Sequence, residues 1–342
     1  MIVSLPKRDL NSRIKEIIEM KESTTLYNQD SIGSNSWWLR ETKGATISDK
    51  LYLSFLKLVY RGLRFSFKIA LGKKRTDIFY AKRNINFKDF LYRSIKFLKI
   101  GDPLMLEIHV PKHNYNIYCP LNKEDFIVMT RHEDDIIERF LPKKGDIVVD
   151  IGAHMGRYTI ISSKRVGTNG KVIAIEAHPG NFEMLNRNIK LNQLTNVIPL
   201  NYAVYSKETK IKLYLPDEES GYTMHHSIMS DYLFTKYEDK TEDKFVEVNA
   251  NTLDYLLQLK GITDVNWVKI DVEGAEFEVL KGANNLLSNS KDIALLIEVH
   301  GKNTYEPIIK SLRSYNFKID FEKIYENGEK HIIAVKDSSV LQ

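Results

Sequence analysis

Cysteine is almost missing from this chain: its 342 residues include one, Cys119. A single thiol excludes any internal disulfide, and its apolar surroundings suit a small core hydrophobe better than a nucleophile. That scarcity fits a reducing compartment. Long apolar runs are missing as well. No uncharged apolar window reaches the roughly 18 residues that a membrane-spanning helix needs, so none is expected. The first residues, MIVSLPKRDLNSR, lack the apolar core of a secretory signal, and a cytoplasmic location is expected. There is no internal repeat and no low-complexity segment.

Apolar residues make up 43% of the chain and aromatics 11%, ample for a buried core. The length suggests about two units. The net charge of +5 hides an asymmetry. Residues 1–100 hold 21 Lys and Arg against nine Asp and Glu, which leaves the rest of the chain at −7. Most of the excess falls between Lys57 and Lys99, opposed by Asp77 and Asp89 alone. The two parts face different electrostatic tasks. A helix is expected around Ser12–Lys21, then a polar loop over residues 26–44 in which Trp37 and Trp38 pack on a neighbour. In residues 51–75 the charges Lys57, Arg61, Arg64 and Lys68 fall four, three and four apart, one stripe of an amphipathic helix. Packing of its apolar face on the globular body is the favoured reading. The alternative is an interfacial helix on anionic lipid or a polyanionic substrate.

Beyond residue 100 the pattern becomes regular. PLMLEIHVPKHNYNIYCPL (103–121) reads as two strands around a turn at Pro111–Asn114. Strand and helix then alternate: DIVVDIG, a helix to Val166, KVIAIEA, a helix over 182–194, NVIPLNYAV, VNWVKIDV, a helix from Ala275 to Leu287, IALLIEVH and a helix over 305–315. FKIDFEKIY and KHIIAVK close the chain as adjacent strands. This alternation predicts a doubly wound α/β fold, a parallel sheet with one antiparallel edge element. Ligands bind such sheets outside the carboxyl ends of the strands, at the switch point. The expected organisation is a basic, mainly helical extension (1–100), a β-hairpin lead-in (101–130) and the α/β domain (131–342).

The informative residues gather at those carboxyl ends. VVDIGAHMGRYT (148–159) leaves the first strand of the alternation through Asp150, Gly152 and Gly156, where glycines let backbone approach a ligand closely. The spacing D-x-G-x-x-x-G is not the dinucleotide fingerprint G-x-G-x-x-G. The next strand also ends in an acid, Glu176, placed to accept hydrogen bonds from ribose hydroxyls. Together these describe a nucleoside with a tail lying in the first turn. VKIDVEGAEFEVLKGA (268–283) then sets Asp271, Glu273 and Glu276 just past an apolar run. Carboxylates are poor strand residues and costly to bury, so a partner with positive charge or hydrogen-bond donors is implied.

The runs DIGAHMGRYT, EAHPGNFEMLNRNIKLN, NVIPLNYAV, WVKIDVEGAEFEVLKGA and LLIEVHG resemble the FkbM-type S-adenosylmethionine-dependent methyltransferases over about Arg131 to Lys336. The resemblance implies a class I methyltransferase (Rossmann-like) fold with a mostly parallel seven-stranded sheet, and S-adenosyl-L-methionine as methyl donor. Carried across, Asp150, Gly152, Gly156 and Thr159 would hold the methionine end of the donor and Glu176 its ribose. Asn201 and Ala203 would lie near adenine, and Asp271 at the methyl-donor end. The chain departs from the family pattern at His154, commonly Asn, and at Ala177, commonly Pro.

S-adenosylmethionine carries an ammonium and a sulfonium that carboxylates can meet. Methyl transfer is an in-line displacement governed by alignment, but a hydroxyl acceptor also needs a base or a metal. Asp271, Glu273 and His300 are the catalytic candidates, with His225 and His226 as weaker ones. Lys269, on the same strand face as Asp271, is a pairing partner, and His300 shares strand parity with Glu298. Glu276 suits a first-turn acid favoured by the helix dipole. No metal site is assigned, since adjacent histidines without a third ligand are weak evidence. Residues 216–244 interrupt the alternation as a lid or substrate loop. By the resemblance, the expected activity is O-methylation of a sugar, lipid-linked glycan or other hydroxylated metabolite. An RNA methyltransferase and a non-catalytic cofactor-binding scaffold at a membrane surface are the alternatives. Nucleic acid is disfavoured, because base-amino methyltransferases place Asn/Asp-Pro-Pro-aromatic where this chain has IDVEGAE.

Overall fold

The computed structural model describes residues 42–44, 105–120, 133–214, 245–301, 303–325 and 328–336, with positions 54–55, 57–59, 61, 65 and 129. All belong to one unit, Glu41–Gln342. The helix expected over 12–21, Trp37 and Trp38, the 216–244 segment and His225–His226 lie outside the described residues. Of the 51–75 stretch, the described positions are helical, and Phe55, Leu58 and Phe65 are exposed. Among the described residues no helix is long and apolar enough to cross a membrane.

Seven strands form the central sheet: β4 (Ile147–Ile151), β5 (Lys171–Ile175), β6 (Val197–Leu200), β10 (Trp267–Ile270), β11 (Ala294–Val299), β12 (Phe317–Ile324) and β13 (Lys330–Lys336). Their order is β12-β13-β11-β10-β4-β5-β6. Pairing from β11 through β6 is parallel. These strands are short apolar runs because both faces are covered. Val149, Ile151, Val268, Ile270, Leu295 and Ile297 enter the main buried cluster, with Leu256, Val279, Leu286, Ile308 and Leu312 from helices. On another side Ala153 and Ala174 pack under Leu185 and Ile189 of the helix Pro179–Leu191. β13 runs antiparallel to both neighbours. The antiparallel strand is therefore interior and not the edge element expected. Its residues show why: Ile332, Ile333 and Ala334 are buried in succession, whereas β12 alternates buried or half-buried with exposed positions, as an edge strand does.

Two smaller sheets surround this core. β2 (Met105–Val110) and β3 (Tyr115–Pro120) form the expected hairpin, with Asn114 left-handed at its turn. β1 (Thr42–Gly44), within the stretch read as loop, adds to the free edge of β2. Asn188 on the Pro179–Leu191 helix and Asn192 at its C-cap dock the hairpin by exchanging hydrogen bonds with the backbone of Tyr118 and Asn116 (2.5–3.1 Å). The third sheet, in the order β7-β9-β8, was not expected. It joins β7 (Ala203–Val204), β8 (Thr209–Tyr214) and β9 (Phe245–Asn251) beside the carboxyl end of β6. The expected helix over 275–287 is two helices, Glu276–Lys281 and Asn284–Asn289. The break is at Gly282, where a Cβ would sit 2.2 Å from the Tyr205 carbonyl oxygen.

Candidate functional site

The chain leaves β4 toward β5 and β6 on one side, and later returns to β10 and β11 on the other. The switch point thus lies between β4 and β10, whose register pairs Asp150 with Lys269. A cleft opens at the strand ends there, with about 1030 Å³ of space including its solvent-open mouth. Apolar side chains of Ile151, Val204, Ile211 and Leu213 form walls, and Glu176, Asp271 and Glu273 bring carboxylates to it.

The turn after β4 is built by close approach. Gly152 has φ +73°, and a Cβ there would lie 1.7 Å from the Asp271 carbonyl oxygen. Only glycine lets the β4 and β10 exits touch. Gly156, at φ +99°, precedes the helix Arg157–Val166, and a Cβ there would press on Leu185. Asp150 is wholly buried behind this turn and accepts a hydrogen bond from Thr159 Oγ1 at 2.5 Å. Burial raises its pKa, opposed by Lys269 and Thr159.

Lys269 ties the two strand ends together. Its buried ammonium lies 2.8 Å from Asp271 Oδ2, donates to the Gly152 carbonyl at 3.2 Å and stands 3.9 Å from Asp150 Oδ1. Burial alone would lower its pKa, but the Asp271 and Asp150 carboxylates outweigh that and hold it above the ordinary lysine value. Burial lifts Asp271 to about 6 against the pull of Lys269, with Glu298 adding to the rise.

Glu176 is the acid of the β5 exit. Each of its oxygens accepts one backbone N–H at 2.8 Å, from His154 and His178. Burial still raises it to about 7, because two neutral donors do not replace full hydration. A carboxylate oxygen has a second lone pair, so capacity for further donors remains. Asn201 supports this exit from behind, donating to the carbonyls of Glu176 and Ala177 at 2.8 and 3.0 Å.

Past Asp271 the acids converge on buried His300. Its Nδ1 donates to Glu276 Oε1 at 2.9 Å, and its Nε2 faces Glu298 Oε1 at 3.5 Å and Glu273 Oε2 at 3.7 Å. Burial disfavours the imidazolium, but the surrounding carboxylates, Glu273 first, hold its pKa well above the ordinary histidine range. Glu298 Oε2 turns to His331 Nε2 at 3.3 Å, which lies 3.6 Å from Glu133 Oε2. Burial lowers His331, but Glu298 and Glu133 raise it to about 10. Tyr158 closes the chain by donating to Glu133 at 2.8 Å. Among the described residues, two sets have ligand atoms mutually within 4.8 Å: Asp271, Glu298 and His300, and Glu133, Glu298 and His331.

Of the residues singled out from sequence, Gly152, Glu176, Ala203, Asp271 and Glu273 line the cleft. Asp150, Gly156, Thr159, Asn201 and His300 stand behind it, and the Thr159 hydroxyl is committed to Asp150. Sequence reasoning missed Glu133, Tyr158 and His331, which carry no pattern, and the wall from β8. The residues present fit a cationic sulfur nucleoside. Apolar walls suit a purine, Glu176 retains acceptor capacity for a ribose diol, and Asp271 offers negative charge at the far end.

Residues 150–319 match the family described as Methyltransferase FkbM domain. Hexuronic acid methyltransferase AglP of Haloferax volcanii is 26% identical over 196 residues, which are 57% of this chain and 73% of the relative. Methyltransferase 1 of Beauveria bassiana is 25% identical over 147 residues, 40% of this chain and 58% of the relative. A solved FkbM methyltransferase from Methylobacillus flagellatus is 15% identical with a TM-score of 0.40, covering 58% of this chain and 45% of that one.

Proposed function

We propose that this chain, whose residues 150–319 belong to the FkbM methyltransferase family, moves the methyl group of S-adenosylmethionine to a hydroxyl of a sugar or glycan. The chain is an S-adenosylmethionine-dependent methyltransferase; the acceptor is the part proposed. The observation that carries it is the similarity to a hexuronic acid methyltransferase.

When bound, the donor supplies an electrophilic methyl carbon, and the protein's part is to hold, align and deprotonate. Gly152 and Gly156 shape the turn that receives the methionine portion, and Asp150 with Thr159 stiffens it from behind. Glu176 accepts from the ribose hydroxyls, with Asn201 fixing its backbone. Ala203 belongs to the adenine wall. Asp271 faces the donor's ammonium or the acceptor hydroxyl. Glu273 lines the acceptor side. His300 holds its own proton too firmly in this arrangement to act as a free base, and instead orders Glu273, Glu276 and Glu298.

Incubating the purified protein with labelled donor and separated glycan, lipid and RNA fractions tests the acceptor. Label is expected as a methyl ether in the glycan fraction, and label confined to RNA overturns the sugar reading. The exposed apolar residues Phe55, Leu58 and Phe65 support a peripheral contact with anionic lipid. Absence from both anionic and neutral liposome pellets would remove that contact.

A further inference from the structure

We propose that Asp271, Glu298 and His300 bind a divalent cation at the acceptor end of the cleft. The inference rests on the methyl-transfer reading and deepens it, because the cation would lie where the acceptor hydroxyl arrives.

Topology brings the ligands together. β10 and β11 are neighbouring parallel strands whose register pairs Ile270 with Ile297. The next residue of each strand, Asp271 and Glu298, therefore lies at one level. His300 follows two positions on, with the parity of Glu298. Their ligand atoms all fall within 4.8 Å of one another.

Orientation is fixed from outside the group. His300 Nδ1 is held by Glu276 Oε1, which also accepts the Gly274 N–H at 2.9 Å. Glu276 is fully buried. The ring can only turn Nε2 inward. A histidine that gives one nitrogen to a carboxylate and presents the other is the usual arrangement around a bound metal.

The separations also suit an ion better than direct bonds. His300 Nε2 lies 3.5 Å from Glu298 Oε1. Hydrogen bonds between such groups are typically about 2.7–3.2 Å. Atoms on neighbouring corners around an ion, at bond lengths of roughly 2.0–2.2 Å, sit roughly 3.0–3.6 Å apart. Small side-chain shifts would close the shell.

Charge points the same way. Glu133, Asp150, Asp271, Glu273, Glu276 and Glu298 share this region with Arg157, Lys269, His300 and His331, and Arg157 is paired with Asp134 at 2.6 Å. Lys269 is already committed to Asp271 and Asp150. The Glu276 Oε2 atom is buried without a hydrogen-bond partner. A dication taking the proton's place on Nε2 offsets the excess. One nitrogen and two carboxylates suit Mn²⁺ or Zn²⁺. The second set, Glu133, Glu298 and His331, is a weaker site. The Nδ1 of His331 has no hydrogen-bond partner to fix the ring, and Glu133 Oε2 already accepts from Tyr158. His331 is read as holding the other oxygen of Glu298.

A hydroxyl coordinated to the cation becomes more acidic. Its proton passes to Glu273, the oxygen forms its bond to the methyl carbon as the carbon–sulfur bond breaks, and sulfur keeps the bonding pair.

The experiment is a Mn²⁺ titration of the chelator-treated full chain, read by the loss of the free-ion resonance in electron paramagnetic spectra. One ion per chain is expected, bound at least about tenfold more weakly in Glu298→Gln and His300→Asn and unchanged in the surface variant Glu322→Gln. Folding of each variant is checked by circular dichroism. If the buried variants fail to fold, pulsed spectra of the unaltered protein read the same point: coupling to one imidazole nitrogen is expected. No binding at millimolar Mn²⁺, equal binding in the variants or no nitrogen coupling overturns the proposal. Calorimetry with S-adenosylhomocysteine on the metal-free sample separates the two readings, since donor binding without ion binding defeats the cation site alone.

Discussion

Glu176 offers the sharpest test of how the donor is held, because its protonation should be visible in binding. Burial pushes its carboxyl up to about 7 from an ordinary glutamate value of 4.5. The folded state thus keeps this proton more tightly than the unfolded chain. Stability falls as pH rises from about 4.5 to about 7, by about 3 kcal/mol once the group is fully ionised. Ribose hydroxyls donate, and only the ionised carboxylate offers all its lone pairs to them. With a pKa near 7, about one-tenth of the protein is ionised near pH 6 and about nine-tenths near pH 8. S-adenosylhomocysteine should therefore bind about tenfold more weakly at the lower pH. Asp271 also titrates in this window, at about 6, so the wild-type slope alone does not assign the group. Glu176→Gln does. The amide keeps the shape, removes the charge, costs roughly ten- to a hundredfold in affinity through loss of charged hydrogen bonds, and should remove most of the slope. Calorimetry across the pH series reads both effects. A wild-type affinity that is flat with pH, or a slope that survives in Glu176→Gln, refutes the reasoning.

Other perturbations read the supporting framework. Gly152→Ala places a methyl 1.7 Å from the Asp271 carbonyl at a left-handed φ, and should cost more than about 3 kcal/mol in thermal or denaturant unfolding. Lys269→Met leaves Asp150 and Asp271 buried without their shared cation, and a loss of about 3–5 kcal/mol is expected in urea titrations. Unchanged stability there would mean that the carboxylates find another partner. Asn201→Ala frees the carbonyls of Glu176 and Ala177, at a cost of about 1–3 kcal/mol. It should weaken S-adenosylhomocysteine binding as well as stability, whereas an effect on stability alone would remove Asn201 from the positioning of Glu176.

The order of elements was legible because parallel strands covered on both faces announce themselves as apolar runs. DIVVDIG, KVIAIEA and IALLIEVH had no other reading of comparable strength. Elements that depend on distant partners were harder to see. Residues 209–214 and 245–251 are strands because they pair with each other across a long separation, and neither carries a continuous apolar run. Thr42–Gly44 is a strand only because the edge of Met105–Val110 is available to it. At Gly282, where the helix breaks, the Tyr205 carbonyl leaves no room for a Cβ, a contact that helical periodicity cannot express.

The acids divide along the same line. Asp150, Glu176 and Asp271 were readable as a group since each ends an apolar strand, where a carboxylate is out of place unless something outside the sheet receives it. Their arrangement was not. Asp150 and Lys269 become partners through the β4–β10 register, and Asp271 meets Glu298 through the β10–β11 register. Registers are set by burial along whole strands, so a cluster at the strand ends is a by-product of core packing further down. One residue of slip in β11 would turn Glu298 away from Asp271 and would move Leu295 and Ile297 to the face that Leu296 now packs. The apolar core of the sheet is thus what keeps these carboxylates and His300 within reach of one another, against their mutual repulsion.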